Sequence, residues 1–319
     1  MQMMYILPKK IKSLSIYLMV AGFFGLVYGF LSAPKNIDES KAIIAASHGD
    51  HHGGEHKDQS LGLHGASPNI NDVTNYSDAD MDVSSITKLK NTEIHSESND
   101  KEHDEHVYHQ LANKPWAALY VSAFYFFMIS LGVLAFYGIQ RAAQAGWSPV
   151  LFRVMESITG YLLPGGIIVI VILFLSGLHL NHLFIWMDPE VVAHDKLIAG
   201  KTGYLNTPFF LARAIFFLGG WSLYRFFSRK FSLAQDKASD VSNHKKNFRI
   251  SAAFLVFFIV TESIMSWDWI MSIDPHWFST LFGWYVFASM VVSGVTAIAL
   301  ITIYLKSRGY LQFVNDSHI

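Results

Sequence analysis

Between Glu262 and Tyr285 the chain reads E-S-I-M-S-W-D-W-I-M-S-I-D-P-H-W-F-S-T-L-F-G-W-Y, and side chains able to hold or pass a proton are concentrated there. Glu262 lies inside an apolar run, with Ser266 and Trp269 following at i+4 and i+7, so the spacing predicts that all three share one stripe of a helix. An ionised group at the centre of a membrane helix costs roughly 2.5–3.5 kcal/mol on insertion scales. Glu262 therefore reads either as a proton-carrying carboxyl or as an acid hydrogen-bonded to a neighbouring helix. Asp268, six residues on, turns toward another face. Asp274-Pro275, Asp188-Pro189 and Thr207-Pro208 each fit an N-cap residue followed by proline at the first helical position, so Asp188 and Asp274 are candidates for proton relay or for plain capping. His179 and His182 stand i,i+3 beside Asn181 and ahead of Trp186, Asp188 and Glu190; on a helix both rings would share a face. Such a pair can ligate a metal or haem, hydrogen-bond a ligand carbonyl, or stay hydrated. His276 sits at the same depth in a turn. Arg213 is placed to neutralise Asp188, Glu190 or Glu262, or to reach the headgroups with its charged end. Arg153 and Glu156 form an i,i+3 pair at the start of another apolar run, where Glu156 is a candidate for proton uptake.

The elements that must position these groups are apolar helices. The 319 residues are 51% hydrophobic and only 15% charged, against about 25% charged in soluble domains. Apolar runs of about 20 residues, enough to cross a bilayer, lie at roughly 13–31, 116–139, 152–178, 208–227, 250–271 and 277–305. The fold class expected is all-α: a polytopic membrane helix bundle of six spans. It divides into an N-terminal transmembrane helix (1–33), a polar insertion (34–113) and a five-helix bundle (114–319). The insertion holds nine of the fifteen histidines (His48, His51, His52, His56, His64, His95, His103, His106 and His109) and little apolar periodicity, so disorder is expected, with weak metal affinity as the sharper alternative. Pro164-Gly165-Gly166 predicts a kink in the third span. Lys and Arg cluster before the first span, near Arg141, between Arg225 and Arg249, and at Lys306 and Arg308. These are alternate loops, which the positive-inside rule makes cytoplasmic, placing the N-terminus inside and the His-rich insertion, the 179–207 loop and the Asp274 turn outside. The chain has no cysteine, so thiolate metal sites, Fe–S clusters and disulfides cannot come from it. A net charge of −1 gives no sign of nucleic-acid binding. The segments L-F-I-W-M-D-P (183–189) and W-I-M-S-I-D-P (269–275) echo one another at the ends of two helices.

The M-S-W-D-W-I-M-S-I-D-P-H-W-F-S-T-L-F-G-W-Y stretch, the W-M-D-P-E segment and the G-F-L-S-A-P exit of the first run resemble the second quinone-binding-type membrane subunit of alternative complex III, the bacterial quinol:cytochrome c oxidoreductase. That subunit belongs to the polysulfide-reductase membrane-subunit (NrfD-like) family. The resemblance covers the chain apart from the His-rich insertion. It implies a multi-pass subunit of the bacterial inner membrane, beside a sister of the same fold, under a periplasmic iron–sulfur subunit and c-type cytochrome subunits, with a terminal oxidase as a further partner. Electrons would pass from quinol, with menaquinol expected, while haem and Fe–S centres lie in the partners. Glu262, Asp188, Asp274 and Glu156 are then proton-relay candidates, and His179, His182, His276, Arg213 and Trp269 quinone-site candidates. Members of the family carry about four further spans beyond the position of Ile319, so a second four-helix bundle would be incomplete here, whether the sequence is truncated or a shortened form. Two other classes compete: a structural anchor whose acids are caps and interhelical hydrogen bonds, and a secondary transporter built on the broken third span.

Overall fold

A computed structural model describes residues 9–49 and 83–315. Among the described residues the structure is helical throughout, without strands, and it divides into two compact units, Leu31–Lys114 and Met1–Phe30 with Pro115–Ile319. The chain order is α1 (Lys9–Leu31), α2 (Ile37–Gly49), α3 (Val83–Ala142), α4 (Phe152–Ile158), α5 (Leu162–Gly177), α6 (Pro189–His194), α7 (Lys196–Ala199), α8 (Thr207–Gln235), α9 (Ser242–Trp269) and α10 (Phe282–Ser307).

The smaller unit contains α2 and the first part of α3. Asn36 accepts the Glu39 amide (2.9 Å) while the Glu39 carboxylate accepts the Lys35 amide (2.7 Å), a reciprocal cap that starts α2. Lys41 then pairs with Asp104 at 2.6 Å and the Tyr108 hydroxyl donates to the Lys35 carbonyl. Within the polar segment expected to be disordered, Ile37–Gly49 and the part of α3 from Val83 are helical. His51, His52, His56 and His64 lie outside the described residues.

Among the described residues five helical segments are long and apolar enough to cross a membrane: Lys12–Leu31, Val107–Ala142, Ser148–Gly177, Ser242–Ile273 and Phe282–Ser307. The sixth run expected, 208–227, is helical within α8 but is not one of the five. Arg213 and the Gly219-Gly220-Trp221-Ser222 stretch dilute its hydropathy, although Ile215, Phe216, Leu223 and Phe226 remain exposed on its outer face. The third run breaks where proline predicts. A 3-10 turn, Thr159–Tyr161, separates α4 from α5 just before Pro164, whose ring crowds the carbonyl one turn earlier. At the centre, Phe127, Phe210, Trp221, Phe258 and Trp269 are fully buried, and the Trp221 and Trp269 rings meet edge-on at 6.2 Å. Helices α3 and α10 cross closely. A Cβ on Gly132 would lie 2.4 Å from the Met290 carbonyl oxygen, and one on Gly294 would lie 3.0 Å from the Val133 nitrogen.

Candidate functional site

Helix α9 ends in a buried ion pair. Asp268, fully buried, takes two hydrogen bonds from Arg213 of α8, Nε to Oδ2 at 2.6 Å and Nη2 to Oδ1 at 3.0 Å, and a third from the Tyr204 hydroxyl at 2.8 Å. The guanidinium also lies 4.1 Å from the Tyr204 ring centroid and 4.2 Å from that of Phe209. Burial, and then the Asp268 charge, raise the Tyr204 phenol above its ordinary value, so it stays a proton donor to the carboxylate. Arg213 thus pairs with neither Asp188, Glu190 nor Glu262. The partner that sequence reasoning set aside is Asp268, and its signal was the placement of an acid between Trp267 and Trp269 at a span end.

The two Asp-Pro echoes share a geometry. Each follows a single 3-10 turn, Ile185–Met187 or Met271–Ile273, and each aspartate accepts the amide two residues on: Asp188 from Glu190 at 2.9 Å, Asp274 from His276 at 3.1 Å. The Trp186 indole donates to Ser272 at 3.3 Å and stitches the turns together. Asp188 is the N-cap of α6 with Pro189 at the first position, as expected. Asp274 caps no long helix: α10 begins at Phe282 rather than Trp277, because the Asx turn and Pro275 commit the chain to a tight reversal first. At Thr207-Pro208 the cap is Asn206, which accepts the Phe209 amide at 3.1 Å.

The paired histidine face is also corrected. α5 stops at Gly177, and His179 adopts φ 58°, with its amide bonded to the Ser176 carbonyl and the Leu180 amide to that of Leu175. This is a Schellman close with histidine in the left-handed position where glycine is usual. His182 lies past the reversal, its Nδ1 4.0 Å from Asp188 Oδ2. The buried residue that orders this loop is Asn181, whose Oδ1 accepts from Ser176 Oγ (2.6 Å) and the Leu183 amide (3.2 Å). His276 belongs to a clamp between loops: its Nε2 lies 2.6 Å from Asp195 Oδ2, and Lys201 Nζ donates to the Pro275 carbonyl at 2.6 Å. The amide of Ile198 foremost, with that of Leu197 and the His276 ring, holds Asp195 below its ordinary carboxylate range against an opposing effect of burial.

Glu262, Ser266 and Trp269 are all buried, as the stripe predicts. Glu262 stands apart from the other acids: its Oε1 has no hydrogen-bond partner among the described residues, and it lines a groove of about 180 Å³ with Ser263, Trp284 and Phe287 between α9 and α10. Glu156 lies at the opposite end of the bundle. It accepts from Arg153 (2.6 Å) and Tyr137 (3.1 Å), and the network continues through Ser228 to Asn247 and through Arg141 to Ser232, with Arg153 also paired to Asp236.

A cavity of about 520 Å³ opens between α3, α9 and α10. Phe124, Met128, Trp269 and Val286 wall it, and its few polar groups include Tyr120, Tyr285 and Ser289. The Tyr120 hydroxyl donates to the Trp269 carbonyl at 2.8 Å and Ser289 to the Tyr285 carbonyl at 2.9 Å, which leaves acceptor capacity on both hydroxyl oxygens. Of the residues expected around a ligand, Trp269 lines this cavity, whereas Arg213, His179, His182 and His276 do not. Among the described residues no group of three or more His, Asp or Glu could hold a metal ion. Compared with protein-family models and with curated proteins, the chain matches none.

Proposed function

We propose that this chain is an integral subunit of a quinol-oxidising assembly of the bacterial inner membrane, of the alternative complex III type, and that it receives the ring of a quinol, with menaquinol the leading candidate, between α3, α9 and α10. The observation that carries the reading is the 520 Å³ cavity, largely apolar and aromatic, with a few hydroxyl acceptors on its walls. Its size and lining suit a flat ring on an isoprenoid tail. Tyr120 and Ser289 would accept hydrogen bonds from the quinol hydroxyls. Oxidation releases two electrons and two protons; the electrons would leave to iron–sulfur and c-type haem centres of periplasmic partners, since a cysteine-free chain supplies no thiolate-held centre. In this reading the Asp195–His276 loops face the periplasm beneath those partners, and the Arg141–Glu156–Asp236 end faces the cytoplasm. Glu262 would carry protons away from the ring's neighbourhood.

A scaffold role is the second reading, favoured by one observation: Asp268 and Glu156 are held in ion pairs, and Asp188 and Asp274 in turns, as structural acids would be. Affinity purification in mild detergent, with mass spectrometry and a haem stain, tests the common ground. Co-purification with a c-type cytochrome, a large iron–sulfur protein and a second multi-pass subunit is expected. A lone, colourless chain overturns the proposal. Saturable binding of a short-tailed menaquinol analogue, weakened by Ser289→Leu, then separates a quinol-binding subunit from a scaffold.

A further inference from the structure

A second cavity, about 400 Å³, lies at the loop end of the larger unit, between the turn around Lys201–Leu205 and the segment from Trp267 to Phe278. Three features of it are independent of the quinol reading. Trp267 lines it, and the indole Nε1 is buried with no acceptor among the described residues. A buried donor left without a partner costs about 1–3 kcal/mol, so an occupant that supplies an acceptor is favoured. Lys201 lines it too. Its ammonium spends one proton on the Pro275 carbonyl at 2.6 Å and retains two further donors and a full positive charge. Finally, the mouth is apolar: Trp277 is 48% and Phe278 77% exposed, and the exposed surface continues over Leu281 and Trp284 toward the membrane-length helix α10.

We infer that this cavity binds the phosphate of an anionic phospholipid, with Lys201 and the Trp267 indole as donors and the lipid's acyl chains lying over Phe278, Leu281 and Trp284. The charge balance supports an anion. Asp268, between the two tryptophans, is already neutralised by Arg213, and Asp195 is held by two helix amides and His276, so among the described residues Lys201 on the cavity wall has no carboxylate partner. The apolar mouth is what distinguishes a lipid from free phosphate: inorganic phosphate has no use for exposed aromatic rings, whereas a lipid buries them. Tryptophan and lysine at the level where a helix leaves the hydrocarbon fit a headgroup position.

The test is native mass spectrometry of the full-length protein, delipidated in phosphate-free detergent and titrated with a six-carbon-chain phosphatidylglycerol. One tightly held lipid per chain is expected. Lys201→Met should weaken it by about tenfold or more, Lys201→Arg should retain it, and Trp267→Phe should weaken it by about tenfold, the range expected for losing a hydrogen bond to a charged group. Thermal unfolding of each variant without lipid checks that the fold survives. Lys201 lies in a loop, so the Met and Arg pair keeps the test decisive even if Trp267→Phe fails to fold. Binding that is indifferent to Lys201→Met overturns the inference. Displacement of the lipid by inorganic phosphate at equal concentration reassigns the site to free phosphate and overturns the lipid assignment. Stronger retention of a neutral menaquinone analogue than of phosphatidylglycerol overturns the anionic class altogether.

Discussion

Replacing Arg213 by Met would leave Asp268 fully buried with only the Tyr204 hydroxyl to oppose its charge. Removing one partner of a buried pair costs about 3–5 kcal/mol, whereas removing both is often close to neutral. Arg213→Met should therefore lower thermal stability sharply, and Arg213→Met combined with Asp268→Leu should recover most of the loss; equal destabilisation in the single and double variants would mean that the pair is not what Arg213 supports. Asp195 makes a pH prediction. Its carboxyl is depressed in the folded protein, so its contribution to stability is fully present above its unfolded value of about 3.9 and is lost as pH falls through the lower folded value. The clamp to His276 should thus hold at neutral pH and loosen only in acid below about pH 4, and Asp195→Asn should remove that acid step from a stability-versus-pH curve. At this scale the sequence was uneven. The burial of Glu262, Ser266 and Trp269 follows from their spacing alone. The pairing of Arg213 with Asp268 does not, because it depends on the rotation of α8 against α9, which no one-dimensional period encodes.

Helix positions were the most legible part of the chain, and helix ends the least. The break at Pro164 is a covalent consequence of proline and could be read directly. The start of α10 could not, because Asp274 satisfies the His276 amide in a turn as readily as it would cap a helix, and the choice depends on contacts the sequence does not display. The Schellman close after Gly177, within a residue of the expected end at 178, leaves His179 and His182 off the helix and without a common face. Close packing gives the clearest prediction for the elements. Gly132→Ala places a methyl 2.4 Å from a backbone oxygen of α10, where no flexible side chain can give way. It should cost about 1–3 kcal/mol, the usual range for overpacking. Gly22→Ala, whose added carbon meets nothing within 4 Å beyond its own helix backbone, is the control and should not lower the melting temperature.

For the molecule as a whole, composition alone indicated a helical membrane protein, and five membrane-length helices agree with it. Composition does not report α2, whose start rests on the reciprocal cap of Asn36 and Glu39 and whose Lys41 pairs with Asp104. The charged networks gather at the two ends of the bundle, Arg213–Asp268 and the loop clamp at one, Arg141–Glu156–Asp236 at the other, and Glu262 lies between them on α9. If Glu262 is a way station for protons in an assembled complex, Glu262→Gln should lower turnover at least severalfold, or uncouple proton release from electron flow, while assembly stays intact. Unchanged turnover and proton release per assembled complex would make it a structural acid.

The crossing of α3 and α10 at Gly132 and Gly294 has a mechanical implication. Tyr120, on the cavity wall, lies twelve residues along α3 from Gly132, a distance of about 18 Å at 1.5 Å per residue. The space between the two helices along that arm therefore depends on their crossing angle at the glycines as well as on the side chains that line it. A change of only 5° there would move the Tyr120 end by about 1.6 Å over that arm. Two glycines at one end of the cavity can thus set the width of the other.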